Sequence, residues 1–148
     1  MKIENILKAK GPRVETIAPH APVTTAIDRL GTAGIGALVV SSDGETVLGV
    51  IAERDVVVAL SRHGAAALDQ RVSDVMSTGV STTTAAAPLA DVMVEMTRQR
   101  QRHVPVLEHG KLVGIVSVGD LVKNRLNELE LETNVLRDAY MAQRFTNR

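Results

Sequence analysis

Two aspartates, Asp55 and Asp120, each follow the same kind of short apolar segment, which occurs twice in the chain. The segments begin at Gly49 and Gly114. Each pattern predicts a buried strand that passes directly into a helix with the aspartate in its first turn. A helix N-terminus exposes unpaired N–H groups and a partial positive charge, which favour anions and acceptor oxygens. An aspartate placed there is suited to accept two sugar hydroxyls while the N–H groups face a phosphate.

A purely structural role is the alternative for these aspartates. In the second segment, Ser117 and Asp120 have the spacing of a capping box, which stabilises any helix. The first segment has Ala52 at the matching position, which cannot cap, yet Asp55 is still present. The helix dipole alone would stabilise Asp55 by about 0.3–1 kcal/mol. The binding interpretation is therefore favoured for the pair, and the capping role stays open.

The rest of the chain repeats around these segments. Pro22 matches Pro88, 66 residues later, and Gly49 matches Gly114, 65 residues later, because the first turn region has one extra residue. Each copy predicts the order helix, strand, helix, strand, strand, helix. The pattern places repeat 1 at residues 1–63, a linker at 64–71, repeat 2 at 72–125 and a C-terminal helical extension at 126–148.

Composition limits the class of protein. The 148 residues fit one compact unit, and with one Tyr, one Phe and no Trp the core must be aliphatic. Seventeen basic residues balance 17 acidic ones, so no overall field favours nucleic acid or an anionic membrane. The N-terminus lacks an apolar core of signal-peptide length, and no apolar run reaches membrane-spanning length. We expect a soluble, cytoplasmic protein that binds neither nucleic acid nor membrane.

Motifs for catalysis and metal binding fail on inspection. The segment 114–120 has the glycine spacing of a phosphate-binding Walker loop, but Asp120 stands where lysine is required. The four histidines show no metal-ligand spacing, and the chain has no cysteine. Ser117 has no local base. The sequence therefore predicts no catalytic residues, no metal and no enzymatic activity.

The repeated unit resembles the CBS domain, and a tandem pair of such units resembles a Bateman module. The resemblance rests on the Gly-apolar-apolar-Ser-x-x-Asp segment that ends at Asp120, on the apolar-Pro-Val strand 104–106 and on the common spacing of both copies. It covers roughly residues 3–125. It implies an α/β (α+β) fold of two tandem units, each β-α-β-β-α, with pseudo-twofold symmetry and two clefts, followed here by a long C-terminal helix.

Clefts of this kind in the family bind adenosine-containing ligands, namely AMP, ADP, ATP, NAD(H) or S-adenosylmethionine. The resemblance implies that the motif aspartate holds the ribose hydroxyls and that the serine three residues earlier faces the ribose and phosphate. Carried over to this chain, it gives Asp120 with Ser117 in one cleft and Asp55 alone in the other. Ala52 lies three residues before Asp55, where the family pattern has the serine, so the cleft of Asp55 departs from that pattern.

The phosphate partners are expected at the start of a strand. Arg102 and His103 begin the strand that should line the cleft, whereas Gly36 and Ala37 hold the matching positions of repeat 1 and supply no charge. The remaining candidate binding residues are Arg54, Ile35, Val104, Thr16 and Thr82. Arg102 also belongs to a polar run that fits a solvated surface, and Arg54 fits an exposed helix start, so both interpretations stay open.

The two clefts are expected to differ in affinity. Ser117 supplies a hydroxyl that Ala52 lacks, and Arg102 supplies a charge that Gly36 lacks. One hydrogen bond to a charged group contributes about 1.5–3 kcal/mol. The sequence therefore predicts tighter binding in the cleft of Asp120, unless phosphates are held by residues of the opposite repeat.

The C-terminal helix is too long to close a small unit. From Val118 the helical pattern continues without Gly or Pro to the end of the chain, apart from Gly119 in its first turn. Steps of four and three residues define an apolar seam, typical of a coiled coil, formed by Val122, Leu126, Leu129, Thr133, Leu136 and Tyr140. Leu131 and Val135 lie off the seam, which predicts burial of a second side against the helix's own unit. A helix folded back on the same subunit is the alternative to intersubunit packing.

These observations favour a stand-alone sensor that binds AMP, ADP, ATP or NAD(H) as a regulatory ligand between the two repeats. We expect a homodimer whose ligand-dependent shape is read by an unknown protein partner. The alternatives are a structural or dimerisation module without a regulated ligand, and an S-adenosylmethionine sensor. A cryptic hydrolase has no residues in its favour.

Overall fold

Each half of the chain folds into the same order of strands and helices. The computed structural model describes residues 1–11 and 13–146. The helices are α1 (Ile3–Lys10), α2 (Val23–Ala33), α3 (Glu53–His63), α4 (Val72–Val75), α5 (Leu89–Gln99) and α6 (Val118–Thr146), and a 3-10 helix spans Gly64–Asp69. The strands are β1 (Thr16–Ile17), β2 (Ala37–Val40), β3 (Gly49–Ala52), β4 (Thr83–Thr84), β5 (His103–Glu108) and β6 (Lys111–Ser117).

Two three-stranded sheets carry the repeat. In each, the middle strand pairs in parallel with the first strand and antiparallel with the last, in the orders β1-β2-β3 and β4-β5-β6. The register is equivalent, because Gly49 faces Val40 in one sheet and Gly114 faces Val106 in the other. The predicted α/β fold of two tandem units with a long C-terminal helix is confirmed.

Proline and a left-handed residue delimit the second helix of each repeat. Pro22 and Pro88 occupy the N-cap positions in extended conformation, directly before α2 and α5. Gly34 ends α2 with φ of 63°, a conformation that glycine adopts without cost. Arg100 ends α5 with φ of 53°, at the matching position. A non-glycine residue in this conformation is strained by roughly 1–2 kcal/mol.

The first, short helix of each repeat packs on the opposite repeat. Ile3 and Ile6 of α1 are fully buried in the core of the second sheet, together with Leu89 of α5. Val72 of α4 is fully buried in the core of the first sheet. The backbone also joins α1 to the second repeat, because the Ile3 N–H donates a hydrogen bond to the Ala87 carbonyl at 3.0 Å. Each repeat therefore contributes a helix to the core of the other. The domain limits drawn from the sequence stay a prediction.

Helix α6 leaves the body of the protein soon after it begins. It has 29 residues, about 44 Å at 1.5 Å per residue. Leu121 is buried in the core of the second sheet. The predicted burial of a second side is wrong, because Leu131 is 67% exposed and Val135 is 60% exposed. The helix does not fold back on its own subunit.

Candidate functional site

Asp55 is held rigidly where β3 passes into α3. Its Oδ2 accepts the Ala52 backbone N–H at 2.8 Å, and its Oδ1 accepts the Ser77 hydroxyl at 2.7 Å. Ser77 is in turn fixed by two backbone bonds with Val50, of 2.9 and 3.1 Å. Each carboxylate oxygen keeps further acceptor capacity, so Asp55 is oriented and still able to bind a ligand. The sequence did not reveal Ser77 as a site residue.

A cavity of about 370 Å³ opens in front of Asp55 and is built by both repeats. Repeat 1 contributes Gly36, Val50 and residues 52–55 to its lining. Repeat 2 contributes residues 77–80, between α4 and β4, and residues 99–103. Its volume falls within the range of about 300–1,000 Å³ that small-molecule sites occupy. The cavity therefore brings Asp55, Arg54 and Gly36 together with Arg102 and His103, which the sequence had grouped with Asp120.

Three arginines give this cavity a positive character. Arg54, Arg100 and Arg102 line it and are exposed, and within residues 1–11 and 13–146 none of their guanidinium groups makes a hydrogen bond or ion pair. They outnumber the two carboxylates in the lining, Glu53 and Asp55. A guanidinium presents a planar fork of donors that matches phosphate oxygens. The strained backbone at Arg100 lies in this wall, and such strain concentrates at binding sites.

His103 stands where the two repeats meet. A Cβ atom at Gly36 would lie 3.1 Å from the His103 Nε2, so the glycine leaves room for the ring. Burial lowers the pKa of His103 from its usual value, and the nearby Lys10 ammonium lowers it further, against the opposing charges of Asp120 and Glu53. The imidazole is therefore neutral at neutral pH and available as a donor or acceptor towards the cavity.

Asp120 has a different environment from Asp55. Its Oδ2 accepts the Ser117 backbone N–H at 2.9 Å, and the Ser117 Oγ accepts the Asp120 N–H at 3.1 Å, which completes a capping box. The same Oδ2 accepts the Lys10 ammonium at 2.7 Å, and this ammonium also donates to the Ile115 carbonyl at 2.9 Å. Burial raises the pKa of Asp120, but the bonds from Lys10 and Ser117 outweigh it, so the net pKa lies below the usual value. No pattern in the sequence pointed to Lys10.

Comparison with protein families decides the class of fold. The family model described as CBS domain matches residues 10–62 and 72–127. The chain belongs to the CBS-domain family. The two matched segments contain Asp55 and Asp120 at equivalent places, each after the last strand of its sheet.

Solved CBS-domain structures agree with this assignment. The CBS-domain containing protein ATU1752 from Agrobacterium tumefaciens is 40% identical, with a TM-score of 0.81, over 84% of this chain and 99% of that one. CBSX2 in complex with AMP is 23% identical with a TM-score of 0.71, over 85% and 96%. The CBS domain pair of MJ0100, in complex with 5'-methylthioadenosine and S-adenosyl-L-methionine, is 20% identical with a TM-score of 0.77, over 86% and 98%. The chain spans about two thirds of the length of the curated relatives that it matches first.

The remaining predicted residues of the CBS repeats are not among those that line the Asp55 cavity. Thr82 and Val104 line a separate cavity of about 160 Å³ beside α5. The Thr16 carbonyl, at the equivalent place in repeat 1, accepts a hydrogen bond from Arg29. Ile35 packs against the core of the first sheet, and Ala37 is buried in β2.

Two further properties of the described residues bear on function. None of their helices is both long and apolar enough to cross a membrane. They contain no group of three or more His, Cys, Asp or Glu that could hold a metal ion. The cytoplasmic location stays a prediction.

The contact between Lys10 and Asp120 should make stability depend on pH. Replacing Lys10 with methionine is expected to raise the pKa of Asp120 and to lower the free energy of unfolding near neutral pH by at most about 1 kcal/mol, since the Lys10 side chain is 38% exposed. A carboxylate whose pKa is lowered by folding stabilises the protein above its unfolded-state pKa, and this contribution is lost as pH falls through the folded-state pKa. The deficit of the variant should therefore shrink on acidification.

Urea unfolding across this pH range, with an NMR titration of the Asp120 carboxyl, measures both effects. Lys8→Met is the matched control, because Lys8 lies on the same helix and its side chain makes no hydrogen bond or ion pair among the residues described. Equal deficits for the two variants at every pH would contradict the assigned contact.

Proposed function

We propose that this CBS pair is a regulatory module that binds an adenosine-containing nucleotide in the Asp55 cavity. The observation that carries the proposal is the combination of an oriented carboxylate at a helix start with three unpaired guanidinium groups in one cavity of the described part of the chain. Asp55 is suited to accept ribose hydroxyls, and Arg54, Arg100 and Arg102 are suited to hold phosphates. The complex of CBSX2 with AMP supports this ligand class for the shared fold.

The charge of the cavity favours a phosphate-bearing ligand. AMP, ADP, ATP and NAD(H) all present phosphates to the arginines. S-adenosylmethionine instead carries a sulfonium cation, which three guanidinium groups repel. An S-adenosylmethionine sensor, the ligand class of the MJ0100 complex, is therefore the second candidate.

The sequence predicts tighter binding at Asp120 than at Asp55, and the contacts support the opposite order. The Asp120 carboxylate is already paired with the Lys10 ammonium at 2.7 Å, so a ligand must displace a charged partner. The Asp55 carboxylate accepts its hydrogen bonds from the neutral donors of Ala52 and Ser77, and Arg102 and His103 line its cavity. The proposed order is therefore a tight site at Asp55 and a weaker one at Asp120 that opens when Lys10 is released.

The proposed role is regulation, not catalysis. Ligand bound between the repeats would fix their relative angle, and a protein partner would read that change. The proposal includes a homodimer, in which paired CBS units make the main contact and α6 assists. A structural dimerisation module without a regulated ligand remains the alternative from another class.

Calorimetry with AMP, ATP, NADH, S-adenosylmethionine and GTP tests the ligand class. One dominant binding event is expected with at least one adenine nucleotide, with clearly weaker binding of GTP and a marked loss of affinity at high salt. Thermal unfolding should agree, since a ligand at 100 times its dissociation constant adds about 2.7 kcal/mol of stability. No heat and no thermal shift with any adenine ligand would favour the structural module instead.

A further inference from the structure

The exposed part of α6 presents an apolar seam that its own subunit leaves uncovered. The exposed fractions are 61% for Leu126, 41% for Leu129, 70% for Leu136 and 60% for Tyr140. Thr133 interrupts this seam, but its hydroxyl donates to the Leu129 carbonyl at 2.9 Å within the same helix. The seam can therefore be buried without an unsatisfied hydroxyl.

The charges beside the seam are ordered along the helix. In heptad terms the seam residues take positions a and d, and the flanking e and g positions carry Lys123 and Arg125, then Glu130 and Glu132, then Arg137. The sign therefore changes from basic to acidic and back to basic over two heptads.

Most of these five charges have no partner among the described residues of their own helix. Within the described part of the chain, the side chains of Glu130, Glu132 and Arg137 make no hydrogen bond or ion pair. Residues four positions after the two glutamates are Asn134 and Leu136, so neither glutamate has an opposite charge at the spacing that stabilises a single helix. Arg125 does pair with Glu128 at 2.9 Å, on the exposed surface of the same helix.

The order of charges distinguishes the two ways of pairing two copies of α6 along the whole seam. In a parallel, in-register pair, position g of one helix faces position e of the next heptad on the other. Arg125 then faces Glu130 of the second copy, and Glu132 faces Arg137 of the second copy. An antiparallel pair with the same overlap places Lys123 opposite Arg137 and sets both glutamates opposite their own counterparts. These flanking contacts are attractive in the first arrangement and repulsive in the second.

We propose that α6 forms a parallel, in-register, two-stranded coiled coil with α6 of a second copy of this chain. The inference specifies the geometry of the dimer and so rests on that part of the proposed function. An isolated helix extending beyond its own fold is marginal in water, and burial of the seam against a second copy stabilises it. Because both helices run in the same direction, the two CBS pairs lie at the same end of the coiled coil.

Disulfide crosslinking tests the orientation, because the chain has no cysteine. Leu136→Cys is expected to form a disulfide-linked dimer on mild oxidation, since the two copies of a d position face each other within disulfide reach. An antiparallel pair would place the two cysteines about 15 Å apart, roughly ten residues along the helix. Leu131→Cys is the matched control, because Leu131 is similarly exposed and lies off the seam. Equal crosslinking at both positions, or a preferred heterodisulfide between Leu126→Cys and Leu136→Cys chains, would overturn the proposal.

Reversing the charge of Arg137 is an independent test, because it should change the dimer dissociation constant in opposite directions for the parallel and the antiparallel arrangement. Arg137→Glu should raise the dimer dissociation constant about tenfold in the parallel arrangement, because the introduced carboxylate faces Glu132 of the other copy. It would tighten an antiparallel dimer instead. The double variant Glu132→Arg/Arg137→Glu should restore the original constant, measured by analytical ultracentrifugation. Nucleotide calorimetry on the same variants should be unchanged, which separates failure of the coiled coil from failure of the ligand proposal. A full-length monomer at high micromolar concentration would also overturn the proposal.

Discussion

Asp55→Ala should weaken the dominant adenine-nucleotide binding event by about 100-fold or more. In the proposed complex the variant would lose two charge-assisted hydrogen bonds to the ribose, and each bond to a charged group contributes about 1.5–3 kcal/mol. A loss of about 1.4 kcal/mol is tenfold in affinity, so two bonds together account for the expected effect. Calorimetry with the ligand that binds wild type most tightly measures it directly.

Two further variants test whether the lost affinity comes from the contact between Asp55 and the ligand. Asp120→Ala is the pseudo-symmetric control, and it should leave the dominant event nearly unchanged because Lys10 already occupies that carboxylate. Asp55→Asn keeps an oxygen for the Ala52 N–H or the Ser77 hydroxyl while removing the charge, so it separates loss of ligand contact from loss of local structure. If Asp120→Ala abolishes the tight event and Asp55→Ala does not, the affinity order expected from the sequence is the correct one.

Most of the fold was predictable because its determinants are local and occur twice. The apolar segments before Asp55 and Asp120 predict a strand that runs into a helix, and both transitions are present. Pro22 and Pro88 locate the starts of α2 and α5, and the matching offsets predict equivalent strand registers. Duplication provided each weak local pattern with independent support, which is why the family resemblance and the fold were both confirmed.

The site was less predictable because its contacts join distant parts of the chain. Lys10 lies 110 residues before Asp120, and Ser77 lies 22 residues after Asp55. The pattern of Ile3 and Ile6 shows that one face of α1 is buried, but not that it packs on the opposite repeat. The one available signal was Arg100, a non-glycine residue at the position where repeat 1 has Gly34, and it marks the wall of the Asp55 cavity.

Gly49→Ala should destabilise the protein by about 2–3 kcal/mol and lower its midpoint of thermal unfolding by roughly 4–12 °C. A Cβ at Gly49 would lie 2.6 Å from the Ser77 carbonyl oxygen and 2.9 Å from the Met76 Sδ. The Ser77 backbone cannot yield cheaply, because it is bonded to Val50 in both directions and its hydroxyl donates to Asp55. The displacement should therefore reach the Asp55 cavity, and nucleotide affinity should fall with stability.

Two other glycines provide a graded control for this effect. Gly31→Ala should stabilise the protein by about 0.5–1 kcal/mol, because Gly31 lies in α2 with open space around it and alanine favours the helix. Gly114→Ala, at the position equivalent to Gly49, should cost less than Gly49→Ala, since the three atoms nearest to its Cβ all belong to the Leu7 side chain, which can move more easily than backbone. Differential scanning calorimetry of the three variants gives the order. A Gly49→Ala variant as stable as wild type would show that the segment of Met76 and Ser77 does not pack tightly on β3, and that Ser77 does not fix Asp55.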